Sequence, residues 1–328
     1  MVFDQAGTPR TPGKVRGLQR LASADGFVLS VAVDHVNELN ELLPPEASFA
    51  ERVAAKTALV RTVAPVCSAV LVDAHYGLGH AVLSGAAPRE LGLAVSLEDG
   101  DYSLASPKDT RFREGWTVAK ARAAGLDAVK LLWWYRPDLD AQLAAAQREL
   151  LAGLVAECAE HDVLLVVEPI WYRRLDEDPA DRGWQAARAA GILEGAMVAE
   201  QLGADVLKVE FPADLDAPGG EKLARETYAR LDASVTRPWV VLSAGVPFET
   251  FARQLEIACQ AGASGYIAGR SLWREVVTAP EAEKAAATTL MLERLERLNA
   301  ITREHGRPVA AVRPLEDALA VLPEGWYR

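Results

Sequence analysis

Cysteine and histidine are scarce in this chain, three and five among 328 residues. Cys67, Cys158 and Cys259 lie far apart, form no CxxC and make an odd total, which argues against a disulfide framework or a zinc ribbon. Cys67 and Cys158 sit in apolar surroundings, the setting of a small buried hydrophobe rather than a nucleophile. Long apolar runs are missing too. No stretch reaches the roughly 18 residues that a membrane-spanning helix needs, and the N-terminus, MVFDQAGTPRTPGKVRG, has no leader-like apolar segment. Basic residues are outnumbered, 35 against 46 acidic, for a net charge of −11. Nucleic acid and membranes, both recruited by basic clusters, are therefore not expected partners. A small anionic substrate stays compatible, since one pocket can be locally basic. The expectation is a soluble, cytoplasmic protein, with a homo-oligomer left open.

Half of the residues are apolar and a quarter charged, the balance of a well-cored protein. The length suits two average domains or one large barrel. Residues 1–12 hold two Thr-Pro turns and no periodicity, so they read as a flexible lead-in. A short helix is expected from Lys14 to Ala24, stopped by Asp25-Gly26. Eight apolar strands follow, at 27–33, 68–72, 91–97, 128–134, 163–167, 204–212, 239–243 and 265–268. Helical patterns lie between them at 48–64, 114–124, 138–161, 187–202 and 249–261, with a helix-containing connection from 212 to 238. A last long helix is expected over about 281–304. Continuous apolar strands separated by helices mean a parallel sheet. Eight such units without a change in composition predict a single α/β domain over 13–328, a (β/α)₈ TIM barrel. A doubly wound open sheet is the competitor, but no GxGxxG follows the first strand, where a dinucleotide-binding fold would carry it.

The sixth strand holds the sharpest anomaly. In ADVLKVEFP (204–212) Lys208 and Glu210 stand two residues apart, so on a strand they face one side together with Val206. Such side chains are almost never fully buried unless paired. Lys130 in AVKLLWWY and Glu168 in LLVVEP occupy comparable places on the fourth and fifth strands. In a barrel the C-terminal strand ends gather the catalytic groups, and adjacent strands lie about 4.8 Å apart, which would place one glutamate between two lysines. Burial and a second cation both favour a neutral amine, and a neutral amine attacks carbonyls. The resulting iminium is an electron sink for carbon–carbon cleavage, with a carboxylate to carry protons. Spacing does not decide which lysine is the nucleophile. A structural Lys–Glu–Lys charge cluster is the bland alternative.

The last two strands end in small turns, Ser243-Ala-Gly245 and Gly269-Arg270-Ser. Barrels commonly hold a phosphate there on backbone N–H groups and a helix N-terminus, and Arg270 adds a charged fork. Two other readings compete with a lysine-based enzyme. Asp34, His35, Asp73 and His75 at the first two strand ends could ligate a divalent cation in a metal-dependent lyase or hydrolase. The scaffold could also bind a sugar phosphate without turning it over.

With these residues in place the chain resembles the tagatose-1,6-bisphosphate aldolase group of class I aldolases, which includes sulfofructose-phosphate aldolases. The segments that carry the resemblance are AVDHV (32–36), DAVKLLWWYRPD (127–138), LVVEPI (165–170), GADVLKVEFP (203–212), WVVLSAGV (239–246) and GYIAGRSLW (265–273). The resemblance implies a (β/α)₈ barrel, no cofactor or metal, and reversible cleavage of a ketose phosphate. It implies a Schiff base on Lys208, with Lys130 and Glu168 as pKa-tuning and acid/base partners. It also implies an anionic group near Ser243, Gly245, Gly269 and Arg270, and contact of Asp34 with substrate hydroxyls. Glu210 is expected to orient or screen Lys208. The family usually has Gln-Arg after the aspartate. This chain has His35-Val36, so a cation beside the far end of the substrate is missing and His35 either serves another group or packs.

Overall fold

The computed structural model describes residues 11–100, 107–309, 312, 314–322 and 324–325. Residues 1–10 of the expected lead-in and 101–106 of the loop after the third strand lie outside the described residues. The strands are β1 (Val28–Ala32), β2 (Ala69–Val72), β3 (Gly92–Ser96), β4 (Ala128–Trp134), β5 (Leu164–Ile170), β6 (Val206–Val209), β7 (Trp239–Leu242) and β8 (Gly265–Ala268). All neighbours pair in parallel, and β8 closes on β1 to complete the barrel. Closure removes the open-sheet alternative. The helices are α1 (Pro12–Leu21), α2 (Asn37–Leu42), α3 (Phe49–Val63), α4 (Leu78–Leu83), α5 (Val118–Ala123) and α6 (Ala141–Glu160). They continue with α7 (Arg182–Leu202), α8 (Gly220–Ser234), α9 (Phe248–Gln260), α10 (Arg270–Thr278), α11 (Lys284–His305) and α12 (Leu315–Val321).

The strands are apolar on both faces because both are covered. On β4 and β5 the residues Val129, Leu131, Trp133, Leu165 and Val167 point outward into the core beneath the helices. Ala128, Leu164 and Val166, together with Val206, Val240 and Ile267 of β6, β7 and β8, fill the barrel interior. One end of that interior is plugged by α1, whose Leu18 and Leu21 join the inner cluster. The helix comes close because Gly17 has no side chain: a Cβ there would lie 2.5 Å from the carbonyl oxygen of Asp127. Buried Lys14 on α1 pairs at 2.5 Å with Asp205, which also accepts a hydrogen bond from Leu165 N at 2.7 Å. The plug starts at Pro12, two residues earlier than its apolar pattern suggests, where the Thr11 hydroxyl donates to Asp162.

Register sets the levels inside the barrel. Lys130 stands beside Ser96 on one side and Val166 on the other, and Val166 stands beside Val206. Glu168 and Lys208 are each two residues further along their strands, roughly 7 Å higher at about 3.3 Å per residue. Lys130 therefore lies one layer below them. The barrel is apolar at the α1 end and charged at the opposite end, where the strands finish.

Candidate active site

At the C-terminal ends of the strands a cavity with about 650 Å³ of empty space opens. Its charged wall is Asp34, Glu168, Lys208, Glu210 and Arg270, and its small-residue wall is Ser243, Ala244, Gly245 and Gly269. Trp134 and Ile170 supply apolar surface, and His35 completes the lining beside Asp34. The strand alternation explains this set. Val206 faces the barrel interior, so Lys208 faces the same way, one layer nearer the mouth.

Lys208 Nζ lies 3.0 Å from Glu168 Oε1. The other oxygen, Oε2, lies 2.8 Å from Lys130 Nζ. Glu168 thus bridges the two lysines. Lys130 lies below the cavity floor, essentially without solvent exposure. It also meets Glu98 Oε1 at 2.5 Å and Asp34 Oδ2 at 3.3 Å, so three carboxylates surround one buried ammonium. Glu98 closes the loop by accepting from Leu132 N at 3.2 Å. Burial alone raises the pKa of each carboxyl, and the three resolve differently. For Asp34 the surrounding positive charges, Lys130 foremost, outweigh burial and hold the carboxyl well below the usual range. Glu168 is likewise lowered, because Lys130 and Lys208 together outweigh its burial. Glu98 is raised, since burial prevails over its single lysine. Glu168 accordingly sits as a carboxylate against the Lys208 amine.

Glu210 lines the same cavity as Lys208 but pairs elsewhere. Its Oε1 accepts from Arg188 Nη2 at 2.8 Å, and its Oε2 accepts from Trp171 N at 2.9 Å. Arg188, on α7, also donates to the carbonyl of Phe211 at 2.8 Å. Burial nevertheless pushes the Glu210 carboxyl up. The sequence pattern gave no sign of Arg188, because a helical arginine twenty-two residues upstream carries no periodic or motif signal toward the sixth strand. Glu98, directly after an apolar run, is in the sequence an ordinary polar strand end.

At the far side of the mouth the two small-residue turns meet. Ala244 and Gly245 both take positive φ, 48° and 75°, which turns the chain sharply after β7. The Ser243 hydroxyl accepts from Gly269 N at 3.3 Å, and the Ser271 hydroxyl donates to the carbonyl of Val246 at 2.6 Å. Arg270 opens the nine-residue helix α10 beside Gly245. The turn after β7, the N-terminus of α10 and the Arg270 guanidinium thus stand together on one side of the cavity, a combination suited to an anion.

His35 is packed rather than free-standing. Its ring meets Trp273 edge-on with centroids 5.6 Å apart, and its Nδ1 lies 3.5 Å from Asp34 Oδ1. A Cβ on Gly269 would come within 2.7 Å of His35 Cε1. Burial lowers its pKa to about 3 in spite of the Asp34 charge. The ring is neutral near pH 7, so it does not replace the cation missing from the His35-Val36 segment. Asp73 and His75, the other members of the alternative metal set, are not brought to the cavity. Asp73 pairs with buried Lys56, and its Oδ1 accepts from His75 N at 2.8 Å and Tyr76 N at 2.6 Å. The His75 ring packs on Tyr76 and Phe49. Among the described residues no group of three or more His, Cys, Asp and Glu side chains is arranged to hold a metal ion. The three cysteines are free, and burial pushes the Cys67 thiol up to about 12. Of the tryptophans near the mouth, Trp134 lines the cavity. Trp133 instead stacks on Tyr135 and donates to the carbonyl of Gln147, and Trp171 packs against Trp184 beneath Arg136.

A closed parallel barrel with lysines and carboxylates gathered where its strands end is the architecture of a (β/α)₈ enzyme. The DeoC/LacD family aldolase model matches residues 29–275, and the chain belongs to that family. Family membership implies a lyase. Tagatose 1,6-diphosphate aldolase 2 of Enterococcus faecalis is 28% identical over 89% of this chain and 93% of its own length. Tagatose 1,6-diphosphate aldolase of Lactococcus lactis subsp. lactis is 26% identical over 91% and 98%. The barrel also resembles an archaeal fructose-1,6-bisphosphate aldolase solved with its catalytic lysine bound to the carbinolamine intermediate. That likeness has a TM-score of 0.53 and 17% identity, over 86% of this chain and 99% of the other, and concerns the fold. Among the described residues no helix is long and apolar enough to cross a membrane.

Proposed function

We propose that the chain is a class I aldolase. It cleaves a ketose phosphate or sulfo-sugar phosphate through a Schiff base on Lys208, without a metal, to dihydroxyacetone phosphate and an aldehyde. The observation that carries this reading is the cavity-lining Lys208 amine held 3.0 Å from Glu168 Oε1. The tagatose 1,6-diphosphate aldolases of Enterococcus faecalis and Lactococcus lactis support the substrate class, and the lysine-bound intermediate named for the archaeal barrel supports the chemistry.

Glu168 takes the proton of the Lys208 ammonium, and the freed amine attacks the ketone carbon of the substrate. Glu168 returns that proton to the hydroxyl that leaves the carbinolamine as water, so that an iminium forms and Glu168 is again a carboxylate. Glu168, held as a carboxylate, takes the proton from the hydroxyl two carbons away. The bond between that hydroxyl-bearing carbon and the carbon next to the iminium breaks, the aldehyde leaves, and the electron pair enters the iminium as an enamine. Glu168 then returns its proton to the enamine carbon. Water hydrolyses the new iminium, freeing dihydroxyacetone phosphate and the amine. Lys130 positions Glu168 from below and balances its charge. Asp34 Oδ1, which accepts no hydrogen bond among the described residues, is available to a substrate hydroxyl. Ser243, Gly245, Gly269 and Arg270 hold the phosphate next to the reacting carbons. His35 and Glu210 shape the wall, Glu210 through Arg188. A screen of ketose 1-phosphates, ketose 1,6-bisphosphates and sulfo-sugar phosphates in the presence of a chelator, read by dihydroxyacetone phosphate release, tests the reading. Release from at least one member is expected, with loss of at least a thousandfold in Lys208→Met. No release from any, or release that requires added metal, would contradict it.

A further inference from the structure

One carboxylate at the anion end has no part in the chemistry above. Glu38 lies in the first turn of α2, which packs against α10. It is only 8% exposed, and among the described residues neither of its carboxylate oxygens accepts a hydrogen bond. The nearest cation is Arg270, whose Nη1 lies 3.4 Å from Glu38 Oε1, a loose contact for a buried pair. The charged groups around Glu38 are Arg270 on α10, Asp34 after β1, Glu41 on α2 and Lys56 on α3. Lys56 is already engaged by Asp73 and the carbonyl of Val33. Burial pushes the Glu38 carboxyl upward, and the approach of its own backbone N–H and the charge of Arg270 together offset this only in part. A buried acid whose one cation is claimed by an incoming anion is a like-charge pair, in which one member takes a proton.

We propose that Glu38 is the proton-linked specificity residue of the anion end. In the empty site it is ionised and loosely paired with Arg270. When a doubly charged anion engages Arg270, Glu38 takes up one proton, so binding of the anion and of that proton are coupled. The inference rests on the assignment of Arg270 to the anion made under Proposed function. By linkage, affinity for a dianion falls as pH rises through the window between the pKa of Glu38 in the free and in the occupied site. His35 does not add to this slope near neutral pH, since it is neutral well above about 3.

The test uses inorganic sulfate as the probe, because its charge is constant over about pH 5 to 9. Calorimetry of the full chain in two buffers of different ionisation enthalpy is expected to show uptake of close to one proton. The sulfate Kd is expected to weaken with rising pH, by up to about tenfold per unit. In Glu38→Gln the proton uptake and the slope disappear, and sulfate binds more tightly than to the wild type at high pH. A flat Kd with no proton uptake in the wild type would overturn the proposal without use of any variant. So would a Glu38→Gln variant weakened equally at every pH, the result of a carboxylate that only orients Arg270. Sulfate binding unchanged by Arg270→Ala would overturn the anion-end assignment and the proposal with it. Binding that needs Arg270 but takes up no proton would overturn the proposal alone.

Discussion

Glu168 is the residue on which the charge arrangement turns, because one carboxylate faces Lys208 with one oxygen and Lys130 with the other. Replacing it by glutamine keeps the shape and removes the proposed proton carrier. Glu168→Gln is expected to lower kcat by about 10²–10⁴-fold in steady-state cleavage. A loss below tenfold would mean that another group moves the proton. His35 gives a second prediction at this scale. Its pKa is about 3 in the folded protein and near 6.5 when unfolded. The unfolded chain therefore binds this proton first as the pH falls. The neutral ring's contribution to stability is intact above about pH 6.5 and is lost progressively toward pH 3. Between pH 7 and 5 the loss amounts to about 2 kcal/mol. Urea unfolding at the two pH values is expected to show this decrement shrinking in His35→Asn, whatever that variant's stability at pH 7. An unchanged decrement would mean that the buried ring is protonated. Lys130, Glu168 and Lys208 stand out in the sequence because a charge inside an apolar strand is costly. Glu98 and Arg188 do not, since a polar residue at a strand end or on a helix face is ordinary.

At the scale of elements, the strands are legible because each is a short, mostly apolar run set between helical patterns. β4, β7 and β8 start where their apolar runs start, at Ala128, Trp239 and Gly265. The short helices α2, α4 and α10 are not legible. Six to nine residues span too few turns to show a helical period, and strand-end chemistry shares the same stretches. α7 begins at Arg182, five residues ahead of its apolar pattern, because the Asp181 side chain caps it by accepting from Trp184 N at 2.7 Å. The register between β4 and β5, which sets Lys130 a layer beneath Glu168, is also invisible in one sequence, since it depends on barrel closure. The element with the clearest energetic test is α1. Lys14→Met leaves Asp205 buried without its cation, and the cost is expected to be about 3–5 kcal/mol in urea unfolding. The double change Lys14→Met with Asp205→Leu is expected to recover part of that loss. A Lys14→Met variant within 1 kcal/mol of the wild type would mean that α1 is not a required plug.

For the molecule as a whole, the two ends of the barrel divide the work. The α1 end is closed by Leu18, Leu21 and one ion pair, so the interior stays apolar up to the layer of Lys130. The opposite end holds two lysines, the carboxylates of Asp34, Glu98 and Glu168, and a small-residue turn pair with Arg270 across the cavity. Under the proposed function, Arg270 and the small-residue turns form the corner of a chain of net charge −11 that meets the anionic end of the sugar. The central proposal is that Lys208, and not Lys130, becomes covalently bound to substrate. The direct measurement is incubation of the full chain with dihydroxyacetone phosphate and borohydride, followed by peptide mass mapping. The predicted result is one reduced adduct on Lys208, absent in Lys208→Met and present on the same residue in Glu38→Gln. No adduct, or an adduct on Lys130, would contradict it.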